Sequence, residues 1–210
     1  MKLSKADMLL YAVTDRTWLN GKTLAATVEE ILKSGITFLQ LREKELDYDD
    51  FLTEALAIGA LAKKYNVPFV INDDVKIAMA ANTDGVHVGQ DDGNVAVLRK
   101  EIGDKILGVS VHTVEQALKA QEEGADYLGV GAMFATDTKT DATVVSKDTL
   151  KAIGNAVDIP VVIIGGVNKD TIPQFKNCGA HGAAVVSAIF AQKNPVAATK
   201  ELVKLCSEVF

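Results

Sequence analysis

The feature that most constrains this chain is a rhythm. Eight short runs of apolar, largely β-branched residues recur at 9–14, 36–41, 67–71, 85–88, 106–111, 127–130, 160–164 and 183–186. Their starts lie 27, 31, 18, 21, 21, 33 and 23 residues apart. Continuous apolar runs of this length are the pattern of buried parallel strands, and the spacing suits a crossover helix between consecutive strands. The intervening stretches agree. Residues 23–33 place Leu24, Val28, Ile31 and Leu32 on one helical face, and 48–64 do the same with Phe51, Leu52, Ala55, Ile58 and Ala62. Asp47 stands at an N-cap position, and Gly35 and Gly124 stand where left-handed C-caps belong. The weakest unit is 75–81, with room for about two helical turns. Eight strand–helix units predict an α/β fold, a (β/α)8 TIM barrel of minimal size, as a single domain over residues 1–210. The competing class is an open doubly wound sheet, but no GxGxxG follows the first run, where a dinucleotide site would need it.

Charge and composition narrow the partners. Twenty-two basic against twenty-eight acidic residues leave a net charge of −6, which disfavours nucleic acid and anionic membrane surfaces. No apolar run approaches the roughly 18 residues of a membrane span, and no apolar stretch follows Lys2 and Lys5 as in a signal peptide. A cytoplasmic protein is expected, with no nucleic-acid or membrane partner. A homo-oligomer is compatible with the sequence. Cys178 and Cys206 lie in segments that read as helical, without CxxC or histidine neighbours, and are expected as reduced thiols.

In a parallel barrel, chemistry sits on the loops that follow the strands. Polar residues and glycines concentrate there, whereas the loops entering the strands, such as 64–66 and 155–158, are blander. Three constellations stand out. Asp73, Asp74, Asp91 and Asp92 follow adjacent strands, where their oxygens could share one hard cation such as Mg²⁺. For any one Asp, helix capping is the simpler reading; two acidic pairs on consecutive strand ends weigh the cation reading equally. Arg42 and Lys44 alternate along an extended exit and point the same way, a fork and a point charge suited to a diphosphate, against the reading of a solvated charged rim. Lys139 sits among threonines in the long sixth loop, where taken alone a solvated charge is the simpler reading. Gly165-Gly166 and 186–189 follow strands seven and eight, where barrels commonly bind a phosphate through backbone N–H groups; a simple tight turn is the alternative. His87, His112 and His181 show no ligand spacing and read as structural imidazoles. No GxSxG elbow or Ser-His-Asp order supports a hydrolase.

Taken together, QLREK (40–44), NDD (72–74), HVGQDD (87–92), GVSVHT (108–113), TDTK (136–139), IGGV (164–167) and VVSAI (185–189) resemble the motifs of the thiamine-phosphate synthase (thiamine-phosphate pyrophosphorylase) family, in order and across most of the chain. The resemblance implies a (β/α)8 barrel that condenses 4-amino-2-methyl-5-hydroxymethylpyrimidine diphosphate with a (carboxy)hydroxyethylthiazole phosphate, giving thiamine phosphate and pyrophosphate. It implies that Gln40, Arg42, Lys44 and Asn72 hold the pyrimidine diphosphate. Asp73 and Asp92 would ligate Mg²⁺. Ser110 and Lys139 would contact the diphosphate or the departing pyrophosphate, while Thr136, Asp137, Thr138, Gly166, Val186 and Ser187 would bind the thiazole phosphate. Arg42, Lys44, Ser110 and Lys139 then carry catalysis by stabilising the leaving group in a dissociative displacement. One departure is visible: the family's loop prolines are replaced by Ala132 and Ala135, which predicts a less preorganised loop. The alternatives are a thiazole tautomerase of the same superfamily and a noncatalytic thiamine-precursor-binding barrel. The tautomerase has no use for the diphosphate residues present here.

Overall fold

The computed structural model describes residues 3–19, 21–135 and 144–210. Eight parallel strands close into one barrel in sequential order: β1 (Leu10–Val13), β2 (Phe38–Leu41), β3 (Phe69–Asn72), β4 (Gly85–Val88), β5 (Ile106–Val111), β6 (Tyr127–Val130), β7 (Val161–Ile163) and β8 (Ala183–Val185). β8 returns beside β1 with Ala184 opposite Tyr11, so no strand edge is left free. The period-2 alternation splits each strand between two cores. Tyr11, Val13, Phe38, Val70, Ile106, Tyr127, Val162 and Ala184 fill the barrel interior, joined by Met8. Their neighbours Leu10, Ala12, Leu39, Ile71, Val86, Leu107 and Leu128 face outward into the layer beneath the helices.

That outer layer is covered by α1 (Leu24–Leu32), α2 (Tyr48–Lys64), α3 (Val75–Ala80), α4 (Val95–Ile102), α5 (Val114–Glu122), α6 (Lys147–Ala156) and the C-terminal α8 (Pro195–Val209), with a one-turn α7 (Ser187–Phe190) before it. The start of every α-helix but α7 is written locally. Thr23, Asp47, Asp74, Asn94, Thr113, Ser146 and Asn194 each accept a first-turn backbone N–H. Two expectations need correction. After β7 the chain forms only a 3-10 turn, Ile172–Phe175, rather than an α-helix. Pro173 supplies no N–H there, and Gly165, Gly166 and Gly179 all take left-handed backbone angles, which breaks any longer helix. Cys178 lies just past that turn rather than in a helix, whereas Cys206 is helical and buried; both are free thiols. β3 also runs one residue further than the apolar run, so Asn72 belongs to the strand.

The end from which the strands emerge is braced by an ion-pair group that the sequence left unmarked. Glu43 turns away from Arg42 and Lys44 and is buried. Arg16, in the β1–α1 loop, grips both its oxygens (Nε at 2.9 and 3.1 Å, Nη2 at 3.0 Å) and also reaches Glu54 on α2. On the inner side Thr14 accepts the Arg42 N–H at 2.9 Å. The β2 exit is thereby held from β1 and α2 together. Burial and the neighbouring Glu43 carboxylate push Glu54 up to about 7, against the pull of Arg16. At the opposite end Arg99 donates to the carbonyls of Gly103, Lys105 and Gly124 and pairs with Asp126, a structural clamp in loops that read as bland.

Two outcomes follow from this packing. Phe38 lies fully buried between Tyr11 and Tyr127, with ring centroids 4.6 and 5.3 Å away. Phe38→Ala is expected to cost about 3–5 kcal/mol in chemical denaturation. Val97→Ala, at a position 61% exposed, should change stability by less than about 0.5 kcal/mol. A comparable effect at both sites would contradict the two-core arrangement. The second concerns pH. A raised Glu54 pKa means the folded state retains a proton that the unfolded state loses above 4.5. The native protein is therefore progressively penalised as pH rises from 4.5 to about 7. Glu54→Gln should gain stability relative to the parent across that window and hold the difference above it. Denaturation at a series of pH values reads this, and a pH-independent difference would refute it.

Candidate functional site

The candidate residues emerge from the C-terminal ends of the strands, on one end of the barrel. Gln40 is the last inward-facing residue of β2 and is buried. Arg42 and Lys44 follow it at the same parity. Lys44 Nζ sits 2.7 Å from Asp73 Oδ2, while the Arg42 guanidinium has no hydrogen-bonded partner among the described residues. It is a half-buried cation with its full set of donors available.

The β3 exit divides two adjacent acids by role. Asp74 accepts the Ile77 N–H at 2.9 Å and caps α3. Asp73 takes a left-handed backbone angle (φ 62°), with its N–H donating to the His87 carbonyl at 2.8 Å. Its carboxylate accepts from the Asn72 amide and from Lys44. Capping and site readings, balanced in the sequence, thus separate between neighbours. At the β4 exit the cap belongs to Asn94. Asp92 instead accepts the Gly89 N–H at 2.7 Å and, like Asp91, is exposed. Gln90 donates to the Ser110 carbonyl at 2.6 Å and ties the β4 and β5 exits together.

Asp73 and Asp92 leave adjacent strands and offer only oxygen. Among the described residues no three His, Cys, Asp or Glu side chains converge as a metal cage. A pair of carboxylates beside a phosphate site is the donor set that suits Mg²⁺, which retains waters and substrate oxygens. The Lys44 ammonium lies 2.7 Å from the Asp73 carboxylate.

Ser110 is partly exposed, and its hydroxyl lies 2.9 Å from His87 Nε2. His87 is a structural imidazole, as the sequence suggested, buried and hydrogen-bonded through both ring nitrogens; it faces the interior and one of its partners is the candidate residue Ser110. Burial pushes it down to about 4, against an opposing pull from Asp92, so the ring is neutral at pH 7. The signal was its parity in HVG, two residues before a strand exit. His112 is structural as well, with Nδ1 2.6 Å from the Gly131 carbonyl.

On the far side, Gly165 and Gly166 both adopt left-handed angles (φ 86° and 66°). A Cβ on Gly166 would lie 2.6 Å from Phe134 Cβ, so only glycine fits this turn. Val186 precedes α7, and Ser187 opens it, exposed beside the Gly166 turn on the neighbouring strand. The segment carrying Ala132 has backbone partners on both sides: Met133 N–H donates to Ile164, Phe134 N–H to Gly165, and Val145 N–H to Ala132. Thr136, Asp137, Thr138 and Lys139 lie outside the described residues. A groove of about 780 Å³ lined by Leu56, Gly59, Lys63, Asn66, Asn82 and Lys105 opens at the opposite end and holds none of the candidate residues.

Comparison with known proteins agrees with this architecture. Residues 10–189 match the family described as thiamine monophosphate synthase. The thiamine-phosphate synthase of Ruminiclostridium cellulolyticum is 51% identical over 203 residues, covering 96% of this chain and 97% of the relative. That of Methanobrevibacter smithii is 47% identical over 203 residues, with 96% and 97% coverage. The solved thiamine phosphate pyrophosphorylase of Pyrococcus furiosus superposes with a TM-score of 0.91 at 35% identity, covering 98% of both chains. With the described motif residues at one end of a barrel that a solved relative shares almost end to end, this chain belongs to the thiamine-phosphate synthase family of transferases.

Proposed function

We propose that the protein joins 4-amino-2-methyl-5-hydroxymethylpyrimidine diphosphate to a hydroxyethylthiazole phosphate. In this reaction the thiazole nitrogen forms a bond to the pyrimidine methylene carbon as the carbon–oxygen bond to the diphosphate breaks. The products are thiamine phosphate and pyrophosphate. The observation that carries this reading is the grouping of Arg42, Lys44, Asn72 and Asp73 on adjacent strand exits, with the Gly166 turn and Ser187 on the strands beyond. One cluster suits a diphosphate and the other a monophosphate.

In this reading Arg42 and Lys44 clamp the diphosphate and neutralise the charge that grows on it as it leaves. Lys44 exchanges its contact with Asp73 for one with a phosphate oxygen. Ser110 donates a hydrogen bond to the same group, and Lys139 would add a further cation. Asp73 and Asp92 would hold Mg²⁺, which supplies further neutralisation of the diphosphate when bound. Gly166, Val186 and Ser187, with Thr136, Asp137 and Thr138, would seat the thiazole phosphate so that its ring nitrogen faces the methylene carbon. Both ring nitrogens of the neutral His87 are already hydrogen-bonded. A displacement driven by leaving-group stabilisation and positioning needs no additional base. The inner and outer cores, running from Met8 to Cys206, support one domain spanning the chain. We assign the enzyme to the cytoplasm; among the described residues no helix is long and apolar enough to cross a membrane.

The test is pyrophosphate release from the two substrates, with Mg²⁺ and then with EDTA. Release should require both substrates and the metal. Binding of both ligands without release would favour the noncatalytic barrel, and isomerisation of the thiazole phosphate alone would favour the tautomerase. Asp92→Ala should lower turnover on the order of 100-fold and blunt the response to Mg²⁺. Near-parental, still Mg²⁺-dependent turnover would remove Asp92 from the metal site.

A further inference from the structure

A line of hydrogen bonds crosses the barrel interior one layer below the site. Gln40 Nε2 on β2 donates to Tyr11 Oη on β1. Tyr11 Oη lies 2.7 Å from Tyr127 Oη on β6. Tyr127 Oη lies 2.9 Å from His87 Nδ1 on β4, and His87 Nε2 lies 2.9 Å from Ser110 Oγ on β5. Tyr11, Tyr127, Gln40 and His87 are all buried. The packing keeps the path open. A Cβ on Gly108 would sit 2.2 Å from Tyr127 Cζ and 2.5 Å from His87 Nδ1, so β5 carries no side chain where the Tyr127–His87 bond passes. An aliphatic layer would fill this space without the cost of burying four polar side chains.

The line can hold its protons in only two ways. A tyrosine hydroxyl has one proton to give, and a neutral imidazole has one N–H. Once one member is set, all are set. With the Gln40 amide nitrogen toward Tyr11, Tyr11 donates to Tyr127 and Tyr127 donates to Nδ1. The imidazole proton then lies on Nε2 and is donated to Ser110. The Ser110 hydroxyl proton is left for a further acceptor, and Gln40 Oε1 remains an acceptor at the other end. The reversed order would spend the Ser110 proton on His87.

We propose that Tyr11, Tyr127 and His87 are positioning residues whose donor order holds Ser110 as a hydrogen-bond donor to an anionic ligand oxygen and couples that end of the pocket to Gln40. A substrate that offers an anionic acceptor at Ser110 and a donor at Gln40 stabilises this order at both ends. An aminopyrimidine diphosphate carries both groups. The inference rests on the function proposed above.

The experiment is steady-state pyrophosphate release by the full chain, with thermal melting to confirm folding, for Tyr127→Phe, Ser110→Ala and the double variant. Tyr127→Phe keeps the ring and removes the proton that continues the line. Its kcat should fall about 10- to 100-fold, with the KM for the thiazole phosphate unchanged. The double variant should be no slower than Ser110→Ala alone, because the line acts through that hydroxyl. Tyr11→Phe should behave similarly and serves if Tyr127→Phe does not fold. His87→Gln, which retains an amide N–H for Ser110, should keep more activity than His87→Leu. Multiplicative losses in the double variant, or parental kcat in a folded Tyr127→Phe, would overturn the inference while leaving the synthase reading intact. A parent protein that releases no pyrophosphate would overturn that reading and the inference with it.

Discussion

Closure of β8 onto β1 is the constraint from which the rest follows. Pairing Ala184 with Tyr11 converts a row of parallel strands into a ring. The ring has an inside, which must be filled, and two ends that differ in kind. All strands run the same way, so their C-terminal ends gather on one rim. Loops as far apart in sequence as 40–44 and 186–189 thereby share one rim. An open sheet of the same strands would have left the diphosphate and monophosphate candidates at opposite edges.

The interior is filled unequally along its axis. Near the entry end Met8, Phe38, Ile106 and Val162 pack as an ordinary apolar core. Toward the exit end Gln40, Asn72, His87 and Ser110 replace them. Such groups are tolerated because each is hydrogen-bonded; among the described residues no buried side-chain nitrogen or oxygen lacks a partner. The same satisfaction makes them rigid. The Tyr11–Tyr127–His87 line is at once part of the core and the floor of the site, so stability and positioning are served by the same atoms there.

The legibility of the chain varied with the range of the interaction that decides each feature. Strands and helices were readable because local alternation and capping dictate them: Asp47 caps α2, and Gly35 and Gly124 take left-handed angles as their positions suggested. The seventh crossover was not readable from rhythm alone, because Pro173 and its flanking glycines override a spacing that would otherwise accommodate a helix. At the candidate site, the described motif residues share one rim of the barrel. Their side-chain partners did not follow from the motifs. Asp73 and Asp74 are adjacent and alike, and only the left-handed angle at Asp73 and the N–H of Ile77 assign one to the pocket and the other to a cap. Arg16, Glu43 and Glu54 belong to no motif, and only the fold brings them together.

By itself the sequence determined the succession of strands and helices, the class of fold and the family. These depend on periodicity, caps and motif order, which act within a few residues of each other. The tertiary structure alone decided the burial of Glu43 and the line from Gln40 to Ser110. Those features join residues 23 to 116 positions apart, and no local pattern in a chain specifies which distant hydroxyl, ring or carboxylate will face another. The physical reason is that buried polar groups are satisfied by whichever partners the packed interior supplies, and the interior exists only once all eight strands are in place.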